Sequence, residues 1–468
     1  MIGYPRISAG WYPSWIEVAG FKSIRTPTRI ELRPLTLLAG TNSSGKSSIF
    51  QPLLLIKQSL EAPYDPDPLL LDGPHLSITS LDQVLSRGWA RTSQEKQFHV
   101  AFGAMRAAGP TRSARRKHTE EARFEVKLIF RRKSKSREGL HSSKWIRRAH
   151  ETAEWIPVDD NHKERLLSLM GVSSSDAELQ ILGHGIQTEL RAWPLRARGV
   201  GLRHLAIGAP VEWTRGILHL PGYRGHRERR FPLSKVSRSR FGSFSVIGPM
   251  PPYSASLLLE WKRLMGDGVG DGVRRQAREH LKQVAAGMKK LGLTWKVTAV
   301  PANAAELELR VGRLPEARRG GAQDLVDIAD VGFGLSQVLP VLVALVAAVP
   351  GQMVLVEQPE LHLHPSAQLA MGRVLADAAK RGVIVVIETH SQLILRAIQT
   401  IVATGYLTPE HVGLNWFSRD NDSGWTTVTQ ADLKKDGTFG DWPVDFPNVY
   451  SMADAEFIDA VFANGGPL

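Results

Sequence analysis

The first sixty residues alternate apolar and polar positions in a way that predicts strands followed by one helix. Three apolar stretches within 16–40, IEVAGFKSI, RIEL and LTLLAG, are typical of strands around a turn. A Gly/Ser-rich loop follows at 40–48, and the run IFQPLLLIKQSL then predicts a helix. The segment APYDPDP at 62–68 is rich in proline, so we expect the helix to end there in a structured loop.

The C-terminal part of the chain has the pattern of an α/β core. From residue 327 onward, an apolar helix, a strand, a helix, a strand and a helix follow one another. The stretch 338–356, VLPVLVALVAAVPGQMVLV, is nearly long enough to cross a bilayer. Pro350 and Gly351 interrupt it, so we interpret it as a buried helix, a tight turn and a short strand, and we expect no membrane span.

Basic residues crowd the middle of the chain, mainly at 105–150 and 224–240. Within the first cluster ARFEVKLIF predicts one strand, and the rest resembles exposed loop. A helix with a basic face is predicted at 274–292, followed by the strand pair TWKVTAV and ELELRVG. The basic clusters favour either a surface that follows nucleic-acid phosphates without reading sequence, or a solvated loop, and the sequence leaves both open.

Composition adds two constraints. The chain has 468 residues with 59 Lys+Arg against 46 Asp+Glu, a formal net charge of +13, which favours an anionic partner without choosing one. There are no cysteines, which excludes disulfides, thiolate-bound zinc and a cysteine nucleophile. The N-terminus lacks the basic start and apolar run of a secretory signal, and we expect a cytoplasmic protein.

The loop after LTLLAG fits the phosphate-binding pattern G-x-x-x-x-G-K-[ST] at every fixed position. An apolar strand precedes it and an apolar helix follows, which is the context that the pattern requires. Backbone N–H groups of such a loop surround phosphates, the lysine reaches the β and γ oxygens, and the serine hydroxyl can bind Mg²⁺. The predicted ATP-binding residues are Gly40, Thr41, Asn42, Ser43, Ser44, Gly45, Lys46, Ser47 and Ser48, with Ser47 also a metal ligand.

A second motif supplies the acid that a magnesium site needs. Four apolar residues, MVLV, end in Glu357, which we expect to hold the Mg²⁺ shell at the end of a buried strand. A later apolar strand ends in ETHS, and His390 in it could sense the γ-phosphate. His362 and His364 would share one face of a strand, but no third ligand is obvious, so a separate metal site is the weaker interpretation. Gln83 is a candidate link to Mg²⁺, or an ordinary surface glutamine.

Together these motifs resemble the SMC and RecF ATPases of the ABC type. GFGLSQ at 332–337 resembles their signature motif, EQPELHLHP their Walker B motif and D-loop, and ETHS their switch-histidine loop. The compact OLD-type, Septu and retron-associated branch is the most similar. The resemblance implies an α/β fold, an ABC-type P-loop NTPase head with a mixed β-sheet lobe, an α/β lobe and a long basic insertion. We place the N-terminal part of the head at 1–104, the insertion with a β-rich and helical lobe at 105–320 and the C-terminal part at 321–468.

The resemblance also implies a mechanism in which two heads form a homodimer around ATP and Mg²⁺. Gly334, Ser336 and Gln337 would then approach the γ-phosphate bound by the other head. In the family a catalytic base directly follows the magnesium acid, but here that residue is Gln358, whose amide cannot accept a proton from water. We therefore expect slow hydrolysis, with Glu360 or His390 polarising the water.

The expected function is an ATP-dependent switch, DNA-binding and active in bacterial antiphage defence. No Toprim or HNH-like nuclease segment is recognisable, so a separate effector protein, a nuclease or toxin, is the expected partner. The alternative is a RecF-like DNA-repair ATPase that acts without an effector. A transporter subunit fits poorly, because GFGLSQ is far from a transporter signature.

Overall fold

The computed structural model describes most of both ends of the chain and part of its middle. The described residues are 11–64, 69–87, 96–106, 123–132, 140–148, 213–224, 228–234, 244–314 and 324–440, together with 156–157, 178–179, 195–196, 237–238 and single residues 161, 165, 316 and 459. About half of the two basic clusters predicted from sequence lies outside these residues, so the structure describes the expected basic insertion only in part.

The described helices are α1 (Gln51–Glu61), α2 (Ser254–Arg263), α3 (Asp271–Lys290), α4 (Phe333–Ala347), α5 (Pro365–Lys380) and α6 (Gln392–Ala403). The described strands are β1 (Trp11–Ala19), β2 (Thr28–Glu31), β3 (Leu35–Gly40), β4 (Gln97–Arg106), β5 (Arg123–Arg132), β6 (Leu140–Arg148), β7 (Ile156–Pro157), β8 (Glu178–Leu179), β9 (Leu195–Arg196), β10 (Leu218–Leu220), β11 (Phe231–Pro232), β12 (Ser237–Arg238), β13 (Phe244–Ser245), β14 (Val297–Pro301), β15 (Glu306–Gly312), β16 (Leu325–Asp327), β17 (Met353–Glu357), β18 (Ile384–Glu388), β19 (Val412–Arg419) and β20 (Thr426–Gln430).

A six-stranded sheet with the order β10-β17-β18-β3-β19-β20 forms the centre of the fold. All of its neighbouring strands are parallel except the pair β19–β20. The central strands are continuous apolar runs because both of their faces are buried. In β17, for example, Val354 and Val356 face the core that contains helix α4, while Met353 and Leu355 face the core that contains helix α1.

A second sheet is antiparallel, with the order β2-β1-β4-β5-β6-β7. It packs with α1 on one side of the central sheet. The strand predicted from ARFEVKLIF is β5, but the following stretch forms β6 rather than loop. Both sheets contain strands from more than one of the predicted segments. β10, from within 105–320, joins the central sheet, and β5 to β7 extend the sheet that β1, β2 and β4 begin.

The apolar stretch at 338–356 forms the end of α4, a turn and β17, as the interruption by Pro350 and Gly351 predicts. Within the described residues no helix is both long and apolar enough to cross a membrane. The predicted strand pair at 294–312 is the antiparallel pair β14–β15.

Candidate nucleotide site

The phosphate loop connects the end of β3 to helix α1 through a short 3-10 turn, Ser47–Ile49. Gly45 has a φ of +94°, and a Cβ atom there would lie 2.3 Å from the hydroxyl of Thr426. Only glycine therefore fits this position. Thr426 also donates a hydrogen bond to the carbonyl of Ser44 (2.8 Å), which fixes the loop against β20. At the tip of the loop Thr41, Asn42 and Ser43 are exposed.

Lys46 lies across the loop and is only 3% exposed. Its ammonium group donates to the carbonyls of Thr41 (2.6 Å) and Gly40 (3.2 Å). Burial lowers the pKa of Lys46, although the nearby carboxylates of Glu388 and Glu360 act to raise it. The loop thus brings one cation and the N–H groups before α1 to the carboxyl end of the central sheet, where acidic side chains converge.

Two adjacent parallel strands end in glutamates that are register partners, Glu357 of β17 and Glu388 of β18. β18 lies directly beside β3, and the hydroxyl of Ser47 donates to Oε2 of Glu388 at 2.7 Å. Glu388 was not predicted as a site residue. The signal was present, because VIVVIE is an apolar strand that ends in an acid just as MVLVE is.

Glu357, the predicted magnesium acid, is held on the side away from β3. Its Oε1 is 3.1 Å from Nε2 of His219, and its Oε2 accepts the backbone N–H of Gly222 at 3.0 Å. His219 belongs to β10, which pairs with β17. Neither residue was predicted, because both lie about 135 positions before the acid they contact.

A third acid, Glu360, lies in the turn after β17. Its Oε1 accepts the backbone N–H of His390 at 2.7 Å, whereas its buried Oε2 has no hydrogen-bond partner among the described residues. A buried carboxylate oxygen without a partner is costly unless something else satisfies it. Its place beside Lys46 therefore suits a site that receives a polar or cationic ligand.

The acids repel one another in this corner. Burial raises the pKa of Glu388, and the charges of Glu357 and Glu360 act in the same direction, opposed by Ser47 and Lys46. Burial also raises the pKa of Glu360. For Glu357 burial acts upward too, but the contacts of His219 and Gly222 hold its pKa below the ordinary value. A bound cation would relieve this repulsion.

Gln358 occupies the position where the resemblance places a catalytic base. Its backbone is left-handed, with φ +45°, and its N–H donates to the carbonyl of Glu388 at 2.7 Å. Buried Arg224 donates to the carbonyls of Glu357 and Gln358, the latter at 2.9 Å. The backbone of this turn is thus fixed by its neighbours. The side chain at the position expected for the catalytic base is an amide, not a carboxylate.

His390 lies next to the phosphate loop, as its place after β18 predicts. Its ring hydrogen-bonds to the backbone of Gly40, and burial together with the charge of Lys46 lowers its pKa. A neutral imidazole in this position can exchange hydrogen bonds without adding charge.

The predicted signature residues form the first turn of α4. A Cβ atom on Gly334 would lie 2.6 Å from the carbonyl oxygen of His362, so glycine permits this close contact. The hydroxyl of Ser336 donates to the carbonyl of Phe333 (2.8 Å). Gln337 is buried, and its Oε1 accepts the N–H of Arg224 at 3.1 Å, so its side chain points into its own head rather than toward a second one.

Gln83, the candidate link to Mg²⁺, has local structural contacts. The amide of Gln83 pairs with Thr79 through both its oxygen and its nitrogen. It borders a cleft of about 570 Å³ that also touches Lys22, Ser23 and Trp425 beside the phosphate loop.

The two histidines considered as a separate metal site each have a packing role. The ring of His362 packs edge-on against Phe333 with centroids 4.7 Å apart, and His364 caps helix α5 through Ser366. Neither therefore needs a metal to explain its position.

Comparison with known proteins identifies the fold. Residues 311–396 match a family profile described as "AAA domain, putative AbiEii toxin, Type IV TA system". The structure is similar to the SmcHead bound to the C-winged helix domain of ScpA, with a TM-score of 0.50, 15% identity and coverage of 90% of this chain and 98% of that chain. The chain has the mixed α/β fold of an SMC head.

Two further SMC heads are similar at lower scores. The head from Thermotoga maritima has a TM-score of 0.40 and 9% identity, covering 90% of this chain and 100% of that one. The head with an extended coiled coil bound to the C-terminal domain of ScpA, derived from Pyrococcus furiosus, has a TM-score of 0.45 and 11% identity, covering 96% and 100%. No curated protein matches the sequence.

The donor set at the sheet edge is compatible with magnesium that arrives together with a nucleotide. Among the described residues, no group of three or more His, Asp or Glu side chains is arranged to hold a metal without other ligands. Mg²⁺ usually takes one or two protein carboxylates and completes its shell with substrate phosphates and water. The Ser47 hydroxyl beside Glu388, with Glu357 on the next strand, fits that requirement.

Proposed function

We propose that this SMC-head-like chain is an ATP-binding, ABC-type ATPase of the SMC/RecF kind. The observation that carries the proposal is the meeting of Lys46 and Ser47 in the phosphate loop with Glu388 and Glu357 at two neighbouring strand ends. A cationic loop alone would suit many anions. A hydroxyl paired with a strand-end carboxylate suits a phosphate that brings a divalent cation.

In this proposal the N–H groups of residues 41–48 and the ammonium of Lys46 bind the phosphates of ATP. Ser47 and the carboxylates of Glu357 and Glu388 hold Mg²⁺, which when bound neutralises charge on the β and γ oxygens. The ring of His390 donates to the backbone of Gly40, and in this proposal it gives that hydrogen bond to a phosphate oxygen instead when ATP binds.

Hydrolysis is expected to be slow, because the residue after Glu357 is an amide. Glu360 lies two residues after that position in the same turn, but one of its oxygens already accepts the His390 N–H. We propose that Glu360 or His390 orients the attacking water, and that the ATP-bound state is therefore long-lived.

Dimerisation around ATP is the second part of the proposal. Gly334 and Ser336 lie in the first turn of α4, and in this proposal the N–H groups of that helix N-terminus meet a phosphate bound by another head. Gln337 supports this turn from inside its own head through Arg224.

The test measures binding and association separately. The chain should bind a fluorescent ATP analogue in the presence of Mg²⁺, and Lys46→Ala should abolish binding. Light scattering should show a nucleotide-dependent dimer, which Ser336→Arg should prevent without loss of ATP binding. Wild-type protein that binds no ATP would overturn the whole proposal, whereas binding without association would overturn only the dimer.

We further propose that the dimer acts as a switch that controls a separate effector in antiphage defence and contacts nucleic acid through basic surfaces. The support is the sequence resemblance and the net charge of +13. A pull-down from the native host with and without a non-hydrolysable ATP analogue should recover an effector nuclease or toxin in one nucleotide state only. Recovery of DNA without any effector would favour the RecF-like repair function instead. DNA affinity should fall steeply between low and moderate salt.

A further inference from the structure

A row of buried polar side chains runs from helix α1 to the proposed magnesium acid. The ammonium of Lys57 pairs with Oε1 of Glu61 (2.5 Å), and Oε2 of Glu61 is 3.1 Å from Nε2 of His75. Nδ1 of His75 lies 3.0 Å from Nδ1 of His219, and Nε2 of His219 lies 3.1 Å from Glu357. The row therefore connects five side chains from four separate parts of the chain.

Its members are deeply buried. The side chains of Lys57 and His75 are 0% exposed, that of His219 is 1% exposed and that of Glu61 is 6% exposed. Buried ion pairs are often no more stable than well-packed apolar residues of the same volume. Stability alone is therefore a weak reason for this arrangement.

The elements that the row joins explain it better. Glu61 is the last residue of α1, the helix that begins directly after the phosphate loop. His219 lies at the middle of β10, the edge strand that pairs with β17 in the central sheet. The row thus ties the helix of the phosphate loop to the carboxylate at the end of β17.

His219 and Gly222 contact different oxygens of Glu357, so together they fix both the position and the rotation of the carboxylate. Each oxygen keeps a second lone pair for another ligand. Partners of this kind commonly orient the ligands of a metal from outside its coordination shell.

We propose that His219, supported by His75 and Glu61, is the positioning residue that sets the Glu357 carboxylate for magnesium. This inference rests on the proposed ATPase function. It assigns a role to residues that no phosphate-binding motif contains. The Mg²⁺ requirement of the site would then depend on side chains near the end of α1, about ten residues after the phosphate loop.

The two nitrogens of His219 allow a test that separates positioning from packing. In His219→Gln the side-chain amide nitrogen occupies roughly the place of Nε2 and can still donate to Glu357. In His219→Asn the amide reaches only the place of Nδ1, so it keeps the contact with His75 and loses that with Glu357. Both substitutions keep a polar group, and both remove the aromatic ring.

The measurement is the Mg²⁺ concentration that gives half-maximal binding of a fluorescent ATP analogue, with binding without Mg²⁺ and the melting temperature recorded beside it. His219→Asn should raise that concentration about 10–100-fold, as loss of such an outer partner does in metal sites. His219→Gln should remain close to wild type, and binding without Mg²⁺ should be the same in both. The control is His99→Gln, which alters a histidine–glutamate contact of 3.2 Å in the antiparallel sheet and should change nothing.

Equal Mg²⁺ requirements for the Asn and Gln variants would show that the ring only fills space, and would overturn the inference while the proposed function stands. If His219→Asn does not fold, the double variant Lys57→Met/Glu61→Gln, which removes the charged pair at the far end of the row as a unit, should shift the Mg²⁺ requirement in the same direction by a smaller factor. An unchanged requirement there would also overturn it. Wild-type protein without ATP binding would overturn the proposed function and this inference together.

Discussion

Glu388 offers the sharpest test of the site, because two interpretations predict effects of opposite sign. The hydroxyl of Ser47 donates to this carboxylate at 2.7 Å. A hydrogen bond to a charged group contributes about 1.5–3 kcal/mol. If Glu388 merely held Ser47 away from the metal, Glu388→Gln would weaken that hold, and Mg²⁺ would bind up to about 10–150-fold more tightly.

We expect the opposite result. Glu388 is the acid in direct contact with the Ser47 hydroxyl, which places it beside the proposed metal position. Burial and the neighbouring acids raise the pKa of Glu388. A bound dication would offset this repulsion and stabilise the charged carboxylate. Glu388→Gln should therefore increase the Mg²⁺ concentration for half-maximal ATP binding about 10–100-fold.

The assay is a Mg²⁺ titration at fixed fluorescent nucleotide, with Glu17→Gln as the matched control. Glu17 also accepts a contact from a histidine, His99, but lies in the antiparallel sheet. Unchanged or tighter Mg²⁺ binding by Glu388→Gln would refute the assignment of this acid to the magnesium shell.

Three further variants test other parts of the structure. Gly334→Ala should destabilise the protein by about 1–3 kcal/mol and impair ATP-dependent association, since its Cβ would lie 2.6 Å from a backbone carbonyl; Gly332→Ala, with nothing within 4 Å, is the control in light scattering and thermal melts. Gln358→Glu should raise the steady-state rate of phosphate release at least about tenfold by supplying a general base, and an unchanged rate would argue against a missing base. Lys57→Met should cost about 3–5 kcal/mol in urea unfolding because it leaves the buried Glu61 carboxylate without its cation, and adding Glu61→Gln should recover part of the loss.

Local pattern predicts much of this fold. The strand before the phosphate loop, the helix after it and the alternation from 327 onward all correspond to described elements, with α3 at 271–290 against a predicted 274–292. These elements are fixed by contiguous apolar periodicity, which is visible in any short window. The two basic clusters are different, because about half of their residues lie outside the described part of the chain, and their role is still a prediction.

The contacts around Glu357 could not be predicted in the same way. β10 has only three residues, too few for a periodic signal, and its partner β17 begins more than 130 positions later. Strand order in a parallel sheet is set by crossover packing rather than by neighbouring sequence. Nothing in LHL therefore indicated that its histidine would reach the magnesium acid.

Glu388, by contrast, follows from a general property of parallel sheets. In a parallel sheet all carboxyl ends meet at one edge, so every apolar strand that ends in an acid is a candidate for the same site. The motif EQPE drew attention to β17, while β18 carries the acid that contacts Ser47. Since β18 lies between β3 and β17, the strand nearer to the phosphate loop brings its terminal side chain closer to the serine hydroxyl. Since residue 358 is an amide, the acidic charge of the site is distributed differently from what the motif alone implies. Glu388 contacts the serine hydroxyl, and Glu357 is held by His219 of β10. Glu360 accepts the His390 N–H with one oxygen, and its other oxygen has no hydrogen-bond partner among the described residues.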